Sequence, residues 1–144
     1  MKPLPWSRAV AELRRARTVL LAIHQRPDGD ALGSELALAS FLRKMGARTW
    51  VGSDDPVPER YRFLPGAGAV LGPEARLPAR FDLAVLIECA NPARAGAFGE
   101  AMRRAGRVLN IDHHRGNAGY GHVNLVAPEA PATVLLAERL RQGL

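Results

Sequence analysis

The chain has 144 residues, 47% of them hydrophobic, and a formal charge of +6 carried mainly by arginine. That length supports one domain with a packed core, and no apolar run approaches the ~20 residues needed to cross a bilayer, so no membrane segment is expected. One cysteine, Cys89, rules out an internal disulfide; with an N-terminus, MKPLPWSRAV, that lacks the apolar core of a secretory signal, this points to a reducing cytoplasm.

In chain order, SRAVAELRRA reads as a helix with Ser7 as its N-cap. TVLLAIH, Thr18 to His24, is a short, nearly continuous apolar run, the pattern of a strand buried on both faces. A Pro-Asp-Gly turn follows. Leu38, Phe41, Leu42 and Met45 then keep helical spacing, with Gly46 as C-cap. RTWVGS is a second strand. Residues 54–80 are rich in Pro and Gly and hold one short helix around PERYRFL. DLAVLIECA is a third strand. Asp82 stands before it and reads as structural. Ala95, Phe98, Met102 and Ala105 stripe a helix that Gly106 ends. RVLNIDHH is a fourth strand, and after a loop Pro131 opens the last helix, PATVLLAERLRQ. Strands separated by helices predict an α/β fold: a doubly wound, mainly parallel sheet with helices on both faces.

The basic residues are mostly scattered. Only ELRRAR (12–17) and AMRRAGR (101–107) are local, both in segments that read as helix. A basic balance suits an anionic partner such as nucleotide or nucleic acid. A compositional bias toward Arg, Ala, Gly and Pro would give the same balance.

In doubly wound sheets ligands bind beyond the C-terminal ends of the strands, so the residues after each apolar run matter most. His24, Asp28 and Asp30 follow the first. Glu88 ends the third, with Cys89, Asn91 and Arg94 beyond it. Asp112, His113 and His114 end the fourth. Each group alone has an ordinary explanation: a turn, an N-cap, a packed histidine. Three polar strand ends at one sheet edge instead form an oxygen-rich metal site with a few nitrogens. Such a site suits Mn²⁺ or Mg²⁺, with ligands enough for two ions. Other motifs fail. DGDALGSELALA has Leu32 and Ala39 where a calcium loop needs oxygen ligands, and GAGAVLG is no dinucleotide fingerprint. Cys89 lies in an apolar strand and reads as a small hydrophobe rather than a nucleophile.

HQRPDGDALGS, LIECANPARAG and NIDHHRGNAGYGHVNLVAPEAPAT, taken in order, resemble the successive motifs of the DHH phosphoesterases. That superfamily includes RecJ-type exonucleases, nano-RNases that also act on phosphoadenosine phosphate, cyclic-di-AMP phosphodiesterases and manganese-dependent family II pyrophosphatases. The third motif is most similar to the nano-RNase branch. The resemblance runs from about Thr18 to Leu140. It implies that His24 and Asp28 bind one metal, that Asp30 and His113 bind the other, and that Glu88 bridges the two. It further implies that His114 contacts the scissile phosphate, that Asp112 supports the metal shell, and that Arg94 and Asn117 contact substrate.

Two departures stand out. The bridging acid is usually Asp, and Glu88 adds a methylene. The chain also ends at Leu144, before a fourth motif with a further metal-binding Asp and a C-terminal domain that holds the substrate through a Gly-Gly-Gly-His segment. The resemblance therefore reads residues 1–144 as a DHH phosphoesterase domain cut before those parts. The expected function is a metal-dependent phosphohydrolase core, with two Mn²⁺ (or Mg²⁺) ions, acting on short oligoribonucleotides, linear dinucleotides or nucleotide 3′-phosphates. The alternatives are a non-catalytic nucleotide or phosphate sensor and a pyrophosphatase. Expected partners are a short RNA or nucleotide, with a homodimer as the candidate self-association.

Overall fold

Apolar runs long enough for six to eight residues become the central strands. The computed structural model describes residues 3–144. Its strands are β1 (Thr18–Ile23), β2 (Arg48–Gly52), β3 (Phe81–Ile87), β4 (Ala105–Asp112) and β5 (Val123–Val126). Its helices are α1 (Trp6–Arg15), α2 (Gly29–Lys44), α3 (Ala97–Ala101) and α4 (Thr133–Gly143). The strands form one sheet in the order β2-β1-β3-β4-β5, and every pairing is parallel. The central strands β1 and β3 are buried on both faces, which explains their largely apolar sequences.

Side chains alternate between two cores. Val19, Leu21 and Ile23 of β1, with Leu83, Val85 and Ile87 of β3, pack on Leu13 of α1, Leu32 and Leu42 of α2 and Leu136 and Leu140 of α4. Leu20, Ala22, Ala84 and Leu86 face the other way, onto Phe98 and Ala101 of α3. Helices therefore cover both faces, as the alternation of strand and helix predicts. The chain runs from β1 outward to β2, then crosses back to β3 on the other side of β1. That reversal opens a crevice at the C-terminal ends of β1 and β3, where ligands of this architecture bind.

The structure departs from the sequence reading in five places, in one of which α4 begins at Thr133 rather than at Pro131. Pro5, not Ser7, precedes the first helical residue of α1, and no side chain caps that end. The PERYRFL segment makes only a 3₁₀ turn, Glu59–Tyr61. The helix expected across 95–105 breaks into a 3₁₀ turn (Pro92–Ala95), the short α3 and a second 3₁₀ turn (Met102–Arg104). Gly96 has φ +55 and lies against the Asp54 carboxylate, so the chain turns there, and Gly99, inside α3, lacks a Cβ that would meet the Pro92 carbonyl. Ala105 and Gly106 consequently belong to β4. Finally, residues 123–126 form β5, a short edge strand with only alternate residues buried.

Candidate metal centre

β1 ends at Ile23, and the next residue, His24, is buried at 6% exposure. Its Nδ1 lies 2.6 Å from the Gln25 carbonyl oxygen. A carbonyl only accepts, so Nδ1 carries the hydrogen and Nε2 presents its lone pair in the neutral ring. Nε2 is 3.6 Å from Asp28 Oδ2. The turn between them is held from outside. The backbone N–H of Arg26, at φ +53, donates to Asp55 Oδ2 at 2.7 Å, and the Gln25 side chain donates to Asp54 Oδ2 at 2.7 Å. Asp28 is the N-cap of α2: Oδ1 accepts the Ala31 N–H at 2.9 Å, leaving Oδ2 toward His24. The turn-and-cap reading of Asp28 and its placement beside His24 are thus both met by one carboxylate.

Asp30 does a second job. Its two oxygens accept the backbone N–H groups of Thr133 and Val134, each at 2.8 Å. Ala132 gives α4 no side-chain cap, so Asp30 caps that helix from across the fold. The same carboxylate lies 3.8 Å from His113 Nε2. Each of its oxygens keeps a second lone pair for another contact.

Glu88 follows β3 with φ +62, a left-handed conformation unusual for a side chain with a Cβ. Strict alternation would place Glu88 on the side of Leu86. Instead Cys89 joins the Leu86 cluster, and the Glu88 carboxyl turns to the sheet edge. There Oε1 accepts the Thr133 hydroxyl and lies 3.3 Å from His113 Nε2. Such strain costs about 1–3 kcal/mol and concentrates at functional sites. Glu88 is 2% exposed, and burial pushes its carboxyl up; neighbouring Asp30 adds to this, against the Thr133 hydroxyl.

β4 ends in Asp112, which is fully buried and spends its carboxylate on the turn that follows. Oδ1 accepts the backbone N–H groups of His113 (2.8 Å) and His114 (3.2 Å) and lies 2.7 Å from His114 Nδ1. Oδ2 accepts the Asn117 amide at 2.7 Å. His113 Nδ1 donates to the Ala130 carbonyl at 3.0 Å, leaving Nε2 for Glu88 and Asp30. Burial lowers the His113 pKa, but the Ala130 carbonyl and the carboxylates of Glu88, Asp30 and Asp112 outweigh it, so the net shift is upward.

Two groups of potential ligand atoms result, His24–Asp28–Glu88 and Glu88–His113–His114, each within 4.8 Å of one another. Glu88 belongs to both. Asp28, Asp30, Glu88 and Asp112 have only histidines as ion-pair partners among the described residues. Several converging carboxylates without Lys or Arg, beside imidazoles whose Nε2 atoms face them, are a donor set suited to hard or borderline divalent cations. The residues present therefore fit the ions that the sequence implies.

The remaining sequence candidates are placed differently. The Arg94 side chain is exposed, while its carbonyl accepts the Gln25 N–H at 2.7 Å and ties the second motif to the first. Asn117 is engaged on every side: it donates to Asp112, Cys89 O and Asn110, and accepts from Asn110 and Gly119. Cys89 is fully buried, and burial pushes its thiol up, in keeping with a packed residue. Thr133 escaped sequence reasoning. It lies in the APEAPAT segment, fully buried, and connects Glu88 through its hydroxyl to Asp30 through its N–H. Only the position of Thr at the start of a helix offered a signal.

The DHH family, N-terminal domain, matches residues 18–143. A bifunctional oligoribonuclease and PAP phosphatase, NrnA, of Thermus thermophilus is 36% identical over 96% of this chain and 42% of its own length. Among solved structures, an exopolyphosphatase-related protein from Bacteroides fragilis aligns with a TM-score of 0.86 at 24% identity, over 94% of this chain and 42% of that one. RecJ from Thermus thermophilus, solved in complex with Mn²⁺, aligns with a TM-score of 0.53 at 19% identity, over 99% of this chain and 21% of that one. The two structural likenesses bear on the fold. The chain spans 42% of the length of that NrnA relative.

Proposed function

The chain belongs to the DHH family, and from that premise we propose that it forms the metal-dependent core of a phosphohydrolase that cleaves short oligoribonucleotides, linear dinucleotides or nucleotide 3′-phosphates. The observation that carries the reading is the sharing of Glu88 between two ligand groups, the arrangement two adjacent cations require. His24 and Asp28 would hold one ion, Asp30 and His113 the other, with Glu88 between them and Mn²⁺ favoured over Mg²⁺. Ions held there supply Lewis-acid polarisation of a phosphoryl oxygen and lower the pKa of a water that can attack phosphorus.

The chain's own groups do the rest. Asp112 fixes the His114 ring through Nδ1, so that Nε2 is the atom free to meet a phosphate oxygen or exchange a proton with it. Arg94, exposed beside the second motif, offers bidentate donors to the same anion. Asn117 acts by holding Asp112 and the loop after it, a positioning role, because its own amide has no polar atom to spare.

The test is hydrolysis of a linear dinucleotide and of phosphoadenosine phosphate with and without Mn²⁺. The expected result is metal-dependent product release that Asp28→Ala abolishes. A protein that binds Mn²⁺ and nucleotide yet releases no product would be a sensor, and the hydrolase reading would fall.

A further inference from the structure

The two basic clusters, ELRRAR and AMRRAGR, lie some 90 residues apart in sequence, and the fold joins them. At the N-terminal edge of the sheet an open cleft of ≈ 930 Å³ is lined by Arg15, Arg17, Arg80, Arg103, Arg104 and Arg107, with Glu12 and Asp82 as its carboxylates. Six residues of β1, at roughly 3.3 Å each, separate this edge from His24 by about 20 Å. The cleft is therefore distinct from the metal centre.

Both carboxylates are already committed. Glu12, 8% exposed, holds Arg15 Nη2 at 2.7 Å and receives Arg107 through Nε and Nη2 at 3.1 and 2.8 Å. Asp82 accepts the backbone N–H groups of Arg17 and Thr18 at 2.8 and 2.9 Å. Among the described residues the Arg17 and Arg80 side chains have no hydrogen-bond partner, and Arg104 has only the Pro78 carbonyl at 3.3 Å. Donors thus remain for a ligand on a framework that Glu12 holds in place. The volume lies within the range of small-molecule sites. Phe81, the one aromatic in the lining, is buried, so no exposed ring offers a nucleobase a stacking surface.

We propose that this cleft binds a polyphosphate chain, free or carried by a nucleoside triphosphate, through Arg17, Arg80, Arg103 and Arg104. The proposal is independent of hydrolysis at the opposite edge. The test is calorimetric titration of the full chain with sodium tripolyphosphate, ATP and adenosine, in chelator so that the metal centre contributes nothing. Tripolyphosphate and ATP should both bind saturably and adenosine should not. Equal affinities would assign the free chain as a sufficient ligand, and ATP binding tenfold tighter would assign the nucleotide as its carrier. Arg17→Ser combined with Arg80→Ser should weaken binding at least tenfold, and so, separately, should Arg103→Ser with Arg104→Ser. All four side chains are exposed, and circular dichroism checks that each pair folds. Asp28→Ala and Arg139→Ser on α4 should leave tripolyphosphate affinity, measured in chelator, unchanged. Binding that ignores both arginine pairs, that Asp28→Ala removes, or that is absent for tripolyphosphate would overturn the proposal. So would an oligonucleotide that displaces tripolyphosphate at far lower concentration, which would make the cleft a nucleic-acid surface.

Discussion

At the C-terminal ends of β1, β3 and β4, carboxylates and imidazoles converge within 4.8 Å around the buried Glu88, which sits in a left-handed backbone to reach them. At the N-terminal ends of the same strands, six arginines line an open cleft and the two carboxylates among them are satisfied by ordinary hydrogen bonds. The strands between are interchangeable apolar segments. The difference lies in what each end gives up for its chemistry. The acidic end buries the Glu88 and Asp112 carboxyls, where negative charge costs stability unless a cation or a hydrogen bond offsets it. The basic end keeps its charges exposed, where they cost little and a ligand can displace water from them. Changes at the acidic end should therefore separate function from stability, and changes at the basic end should leave stability nearly untouched.

The largest effect tests the acidic end directly. Glu88→Gln keeps the side-chain volume and removes a charge that burial disfavours. Mn²⁺ affinity should fall by more than the roughly 10–100-fold that follows loss of a group merely orienting a ligand. The metal-free protein should melt at the same temperature or higher. Differential scanning fluorimetry with and without Mn²⁺ measures both; a variant that loses stability without metal would show Glu88 to be a structural acid. Thr133→Val comes next. It removes the hydroxyl donated to Glu88 and leaves the N–H that caps onto Asp30, so Mn²⁺ affinity should drop about 10–100-fold with α4 intact. An unchanged affinity would mean that Glu88 needs no help to face the ions.

How much of this was legible depends on burial. β1, β3 and β4 are buried along most of their length, so their sequences are mainly apolar and their polar C-terminal ends stand out. That contrast is what exposes His24, Glu88 and Asp112 as a set before any contact is known. β5 is an edge strand with alternate residues buried over four positions, too short a period to separate from a loop. The helix across 95–105 was legible as an apolar stripe but not as a broken one, because the break at Gly96 goes with the Asp54 carboxylate, which holds the Ala97 N–H from 43 residues away in sequence. Thr133 was illegible for the same reason: its partners lie 45 and 103 residues away. The joining of the two arginine clusters was hidden too, since it depends on β3 pairing between β1 and β4, which brings Arg17 and Arg107 to one edge of the sheet.

Glu35 extends the comparison into the core beneath the acidic end. It is fully buried on α2, and neither carboxyl oxygen has a hydrogen-bond partner. Burial holds its carboxyl well above the ordinary range, and the nearby Gly52 N–H offsets this only in part. The folded state thus keeps a proton that the unfolded chain gives up at lower pH. Stability from this group is complete below the ordinary carboxyl range and declines as pH rises toward the folded pKa. Glu35→Leu should raise stability by about 1–3 kcal/mol, the usual cost of an unsatisfied buried group, and the gain should widen with pH. Denaturant titrations at pH 5 and pH 8 read this; a gain that shrinks as pH rises would mean that the carboxylate finds a partner in the folded state.

The smallest effect belongs to the basic end and has the opposite sign. The Arg17 and Thr18 N–H groups hold the Asp82 carboxyl below its ordinary range. A lowered folded pKa gives stability that is present above the ordinary Asp pKa and is lost as pH falls through the folded value. Asp82 is exposed, so solvent screens most of this, and Asp82→Asn should cost only about 0.5–1 kcal/mol at pH 7. The variant and the parent should converge in acid, whereas the advantage of Glu35→Leu over its parent should shrink toward acid without vanishing. Asp82 pins the first residues of β1 to β3, and His24 and Glu88 are carried at the far ends of those strands. If a rigid sheet transmits that pinning, Asp82→Asn will weaken Mn²⁺ binding along with stability. If apolar packing alone aligns the strands, as their full burial implies, Mn²⁺ affinity will not move, and the two ends of the sheet will have been shown to work independently.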